Sequence, residues 1–127
     1  MPRYRFDHVH LRSPEPEATA AWFEAMLGAE VIRSVQQGRP RIDMKVGGQD
    51  VLIAQADAAA AAPPSAPYQG IDHFGLSVTG LDEAVAGLKA KGVQFTMEPN
   101  SPRPGIRICF IRGPENISIE LLERSPA

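Results

Sequence analysis

From Arg5 to Arg12 the chain alternates polar residues with Phe6, Val9 and Leu11, the period of two that sends successive side chains to opposite faces of a strand. Ser13-Pro14-Glu15-Pro16-Glu17 then supplies turn chemistry, an acidic first helical turn and a proline suited to the first helical position. Ala18, Ala21, Trp22, Ala25 and Met26, with Phe23 and Leu27 beside them, form a stripe of helical spacing. Gly28 is the expected stop, because glycine enters the left-handed conformation cheaply. Three strands are expected next, at about 30–35, 39–46 and 50–55, with turns at Gln37-Gly38 and Gly47-Gly48.

The same order of patterns then returns. Residues 71–78 read as a strand, and Thr79-Gly80-Leu81-Asp82 resembles a capping box with Asp in place of Glu. Leu81, Ala84, Val85 and Leu88 make a second helical stripe, closed by Gly92. Strands are expected at about 94–97, 105–112 and 117–122, with a loop over 99–104 and a turn at Gly113-Pro114-Glu115-Asn116. Between the halves, residues 56–69 carry an alanine run followed by Pro63-Pro64 and Pro67, the composition of a proline-stiffened linker. A helix over 57–62 would be short and marginal. The chain therefore reads as βαβββ, linker, βαβββ: an α+β protein with module 1 at about 4–55, the linker at 56–69 and module 2 at about 70–124, forming one domain over 1–127.

The repeat extends to single residues. Phe6-Asp7-His8-Val9-His10-Leu11 and Ile71-Asp72-His73-Phe74-Gly75-Leu76 share an apolar-Asp-His-apolar-x-Leu pattern. His8 lies 20 residues before Gly28, and His73 lies 19 before Gly92. Self-similarity of this kind fixes architecture ahead of any local assignment. A lone helix cannot cover both faces of a βαβββ unit. Two units side by side would make a strongly curved eight-stranded sheet, with helices outside and a cup inside. If Val9, Leu11, Phe74 and Leu76 face the helices, then His8, His10, His73 and Gly75 face the cup. On the last strand Ile117, Ile119 and Leu121 form the apolar face, which puts Ser118, Glu120 and Leu122 on the other. Glu120 is then a carboxylate among apolar neighbours that needs a partner or a metal.

Composition narrows the classes. At 127 residues, 43% hydrophobic and 22% charged, the chain is ordinary for a soluble globular domain. A net charge of −2 gives no basic footprint for nucleic acid, and no apolar run reaches the length of a membrane span. A single cysteine, Cys109, excludes an internal disulfide and fits a reducing cytoplasm; among Ile108, Phe110 and Ile111 it reads as a core residue.

The paired Asp-His strands, the helices ending in Leu27-Gly28 and Lys91-Gly92, and the closing Gly113-Pro114-Glu115-Asn116-Ile117-Ser118-Ile119-Glu120-Leu121 resemble the vicinal oxygen chelate superfamily. That group includes glyoxalase I, methylmalonyl-CoA epimerase, extradiol dioxygenases, fosfomycin-modifying enzymes and bleomycin resistance proteins. The resemblance implies a glyoxalase-like fold and a homodimer, and by position it makes His8, His73 and Glu120 metal ligands. The family's fourth ligand position falls near the end of Val51-Leu52-Ile53-Ala54-Gln55: matching the two closing strands selects Ala54, and counting from the histidines selects Gln55. Ala54 is favoured, because Val51 and Ile53 read as helix-facing and Gln55 would share their side.

Two imidazoles and one carboxylate suit one divalent ion of Fe, Mn, Co, Ni or Zn. His10 has no counterpart in the second half; a general base, a partner behind a ligand and a fourth ligand are all open to it, and it is the best candidate for the catalytic base. Asp7 and Asp72 are expected to point away from the histidines and to be structural. Arg41, Arg103, Arg107 and Arg112 could meet an anion, although arginines on polar strand faces are usually solvated. The resemblance implies a small-molecule substrate with two neighbouring oxygens. A metal-dependent lyase or isomerase of glyoxalase-like type is expected first. An Fe(II) extradiol-type dioxygenase is the second possibility and a metal-free drug- or metabolite-binding protein the third.

Overall fold

The computed structural model describes residues 2–125. The chain divides between Ala61 and Ala62 into two compact units. Unit 1 carries β1 (His8–Ser13), α1 (Pro16–Leu27), β2 (Glu30–Gln36), β3 (Arg39–Val46) and β4 (Gln49–Gln55). Unit 2 carries β5 (Phe74–Ser77), α2 (Leu81–Ala90), β6 (Gln94–Arg103), β7 (Ile106–Arg112), a short 3-10 turn (Pro114–Asn116) and β8 (Ser118–Arg124). The expected βαβββ order is thus present twice, in an α+β chain. Each unit holds one four-stranded sheet, ordered β1-β4-β3-β2 in the first and β5-β8-β7-β6 in the second. In both, the first strand runs parallel to the last and the other pairings are antiparallel.

Alternation decides which face is buried. In unit 1, Ile42, Met44 and Val46 of β3 and Val51 and Ile53 of β4 are buried with Ala20 and Phe23 of α1. In unit 2 the buried set is Cys109, Ile111, Ile119 and Leu121 of the sheet with Leu81, Val85 and Leu88 of α2. Removing such side chains from water is the main stabilising term, at roughly 1.5–3 kcal/mol for each large one. Ser13 Oγ and Thr19 Oγ1, 2.7 Å apart and buried, tie the end of β1 to α1. Gly28, at φ 68°, ends α1 as expected, with its N–H and that of Ala29 donating to the carbonyls of Glu24 and Phe23.

Three local expectations are corrected. The first strand of each unit starts at His8 and Phe74 rather than at residues 5 and 71. Their partners Asp50 and Ile119 are each the second residue of the neighbouring strand, so the residues before them run past the end of the ladder. β6 does not stop at Met97 before a loop but continues to Arg103 through Pro99 and Pro102. It is the outer strand of its sheet, and its register against β7 shifts three times, which is where a residue without an N–H can sit. The expected capping box is absent: Gly80 stands at the N-cap of α2 and supplies no side-chain cap. The carboxylate of Glu123 on β8 instead accepts from the N–H groups of Gly80 and Leu81 at 2.8 and 3.2 Å. The segment 57–62, read as too short for more than a marginal helix, holds a turn at 58–60 in which Asp57 accepts from the N–H of Ala59. No helix among the described residues is long and apolar enough to cross a membrane.

Candidate metal-binding site

The candidate site is built most fully in unit 2. His73 stands immediately before β5. Its Nδ1 lies 2.7 Å from Asp72 Oδ2 and its Nε2 lies 3.4 Å from Glu120 Oε1. Phe110 meets the imidazole edge to face, with centroids 4.7 Å apart and planes at 89°, which limits how the ring can turn. Gly75, Glu120 and Phe110 form one row across β5, β8 and β7. A Cβ on Gly75 would touch Glu120 Oε1 at 3.4 Å, an ordinary contact. Glycine there avoids no clash; it leaves the carboxylate flank open.

Unit 1 repeats the imidazole but not the carboxylate. His8 opens β1, with Nδ1 2.7 Å from Asp7 Oδ2. His10, on the same face by alternation, has its ring centroid 6.1 Å from that of His8. In the β1-β4-β3 ladder the row through His10 is His10, Leu52 and Asp43. The residue matching Glu120 is therefore Leu52, neither Ala54 nor Gln55. The alternation argument itself holds, since Val51 and Ile53 are buried and Ala54 shares the face of Leu52. The position lies two residues away because it is set by pairing with β1, which counting along the chain does not report. Gln55 corresponds to Glu123 and works at the helix start: its Nε2 donates to the carbonyls of Pro14 and Ala56.

Asp7 and Asp72 are corrected as well. Each carboxylate is folded back onto the imidazole that follows it. The acid of unit 1's row, Asp43, is occupied: its Oδ2 is 2.7 Å from Arg41 Nε, and its Oδ1 accepts from the N–H of Ile53 at 3.3 Å. Arg107 pairs with Asp82, and Arg112 donates to the carbonyl of Asn116. Cys109 is buried as expected, and burial pushes its thiol above the ordinary range, which keeps it protonated and unreactive at neutral pH. Phe110 had no signal in the sequence, because strand pairing brings it to His73; the Arg41–Asp43 pair is local, two residues apart on one face of β3, and strand alternation alone would have suggested it.

Among the described residues, no group of three or more His, Cys, Asp or Glu side chains is gathered so as to hold a metal ion. The structure brings together His73 and Glu120, and His8 and His10. A cleft of about 640 Å³ in unit 1 is lined by the start of α1, the end of β2, the start of β3 and the end of β4. It lies at the Gln55 end of the sheet, whereas His8 pairs with Asp50 at the other end, roughly 17 Å away at strand rise. It is not where the imidazoles are.

A twice-repeated βαβββ unit carrying an imidazole at the head of its first strand is the architecture of a family of metal-chelating and small-molecule-binding proteins. The sequence profile of the Glyoxalase/Bleomycin resistance protein/Dioxygenase superfamily matches residues 5–121, and the chain belongs to that superfamily. It is 26% identical over 126 residues to the uncharacterized protein YwkD of Bacillus subtilis, covering 92% of this chain and 94% of that one. It is 40% identical over 58 residues to a probable chloroplastic lactoylglutathione lyase of Arabidopsis thaliana; the match covers 45% of this chain and only 17% of the plant protein. The fold is similar to that of a glyoxylase/bleomycin resistance protein/dioxygenase domain from Frankia sp., with a TM-score of 0.76, 20% identity, and 97% and 99% of the two chains covered.

Proposed function

We propose that the protein is a divalent-metal-dependent lyase or isomerase of glyoxalase-like type, acting on a small metabolite with two neighbouring oxygens. The observation that carries this reading is the His73–Glu120 pair. A carboxylate can only accept a hydrogen bond, so Asp72 places the ring proton of His73 on Nδ1. The Nε2 lone pair then faces the Glu120 carboxylate at 3.4 Å. Two electron-rich atoms so placed take a positive charge between them, either a second ring proton or a metal ion. Ligands about 2.0–2.2 Å from a metal stand about 3.0–3.4 Å apart at octahedral or tetrahedral angles, so the pair fits.

His8, presented in the same tautomer by the matching residue of unit 1, is the third ligand in this proposal. Two nitrogens and one oxygen suit Fe, Mn, Co, Ni or Zn. Leu52 in place of a second acid leaves positions for substrate oxygens. Bound there, the cation supplies Lewis acidity that stabilises negative charge developing on a substrate oxygen. His10, beside His8 on the same face, takes or returns the proton on the adjacent carbon, the commonest task of a catalytic imidazole. A homodimer in a reducing cytoplasm accords with the family and with the lone buried Cys109.

The facial two-His, one-carboxylate set favours a second reading, an Fe(II) extradiol-type dioxygenase. The test begins with metal-free protein loaded separately with Zn, Co, Ni, Mn and Fe(II). Each form is assayed on hydroxycarbonyls, on a thiol adduct that would yield a lactoyl thioester, and on catechols with oxygen consumption followed. The proposal expects one ion per chain and proton-transfer turnover that H10A abolishes without loss of metal. Oxygen uptake with catechols would select the second reading. A chain that takes up no metal would be a metabolite binder.

A further inference from the structure

We propose that Asp72 and Asp7 are positioning residues that lock the tautomer and orientation of His73 and His8, so that each imidazole offers an unprotonated Nε2 to a ligand. The assignment rests on the metal-binding reading above. Both carboxylates sit at the same distance, 2.7 Å, from the same ring atom of the next residue. The environments around them are not the same. Phe110 braces the imidazole in unit 2, whereas in unit 1 the neighbouring ring is His10. The Asp-His contact therefore recurs without being dictated by a common set of neighbours.

Neither aspartate is needed for packing. Their side chains are 91% and 70% exposed, and each precedes the first strand of its unit. The ion pair each makes is with its own histidine. A carboxylate at the far nitrogen does two things for an imidazole. It holds the proton on Nδ1, and it raises the electron density, and so the donor strength, of Nε2. Removing such a partner typically lowers metal affinity about 10–100-fold.

The test uses the full chain. Long-range 1H–15N spectra of the metal-free protein read the tautomer of each histidine, and Zn(II) titration by calorimetry reads affinity. Wild type is expected to show His73 and His8 protonated on Nδ1. In D72A and D7A the proton on the affected ring is expected to redistribute to Nε2, and Zn(II) affinity to fall about 10–100-fold, with unchanged thermal unfolding. D72N, which keeps the acceptor but not the charge, should fall between, and D72E should recover most of the affinity. Wild-type tautomers and wild-type affinity in D72A would overturn the proposal. If wild type takes up no Zn(II), the metal reading fails on its own, while the tautomer spectra still decide whether Asp72 and Asp7 hold the rings.

Discussion

Unit 1 and unit 2 share topology, strand register and an Asp-His pair at the same place, yet they differ along a single row of the sheet. In unit 2 that row is Gly75, Glu120 and Phe110; in unit 1 it is His10, Leu52 and Asp43. The core faces behind the two rows are equivalent, with Met44 opposite Val51 matching Ile111 opposite Ile119. A duplicated scaffold can thus keep its packing and change its chemistry, because alternate strand positions serve separate purposes. One half supplies an imidazole and a carboxylate. The other supplies an imidazole and a second histidine, His10, whose ring centroid is 6.1 Å from that of His8.

Helix starts show the same divergence. Glu123 accepts from the first N–H groups of α2, whereas its counterpart Gln55 donates to the carbonyl of Pro14. The sequence explains the exchange. α1 begins at Pro16, which has no N–H, so fewer orphan donors await an acceptor there. α2 begins at Leu81 and lacks a side-chain cap of its own, so an acid from β8 takes that role.

The comparison can be broken most sharply at Glu120. E120L gives unit 2 the residue that unit 1 carries, and metal affinity is expected to fall by more than about 100-fold, beyond the loss typical of an outer partner. Titration of metal-free protein checks it, and unchanged affinity would mean that Glu120 is no ligand. The next effect is shared by both halves. M44A and I111A each empty a fully buried site, and each is expected to cost about 2–5 kcal/mol by denaturant unfolding. A much smaller cost in one unit would show that its core is the less tightly packed.

Helix capping comes third. E123A is expected to cost roughly 1 kcal/mol, in the range of a lost helix cap, and Q55A only a few tenths. Equal losses would contradict the account of why Glu and Gln occupy matching positions. The smallest effect lies on the surface of unit 1. The Arg33 guanidinium, bonded to Glu17 through two nitrogens, holds that carboxyl below its ordinary range. A folded-state value below the unfolded one means that the contribution exists above the ordinary carboxylate range and disappears as pH falls through the lowered value. The pair is fully exposed, so E17Q should lower the melting temperature only slightly at neutral pH and low salt, and not at all once the pH is below the lowered value or in about 1 M salt.

Features that depend on local pattern were legible in the chain. The βαβββ repeat, the helix stop at Gly28, and the burial of Val51, Ile53, Ile119 and Leu121 all follow from period and punctuation. Features that depend on pairing were not. The match of Leu52 to Glu120 requires the β1–β4 and β5–β8 registers, which link residues more than 40 positions apart. β6 runs through Pro99 and Pro102 because it lies at a sheet edge, a fact of strand order. The Glu123 cap comes from another element. The Asp-His contacts are local but break the expectation from alternation, since Asp7 and Asp72 precede the strands and are free of the pleat.

X-ray absorption at the metal edge of Zn- or Co-loaded protein tests the central claim most directly. The account predicts a nitrogen and oxygen shell at about 2.0–2.1 Å containing two imidazoles, one of which is lost in H8A and the other in H73A. A shell with no imidazole, or one that survives both substitutions unchanged, would contradict it.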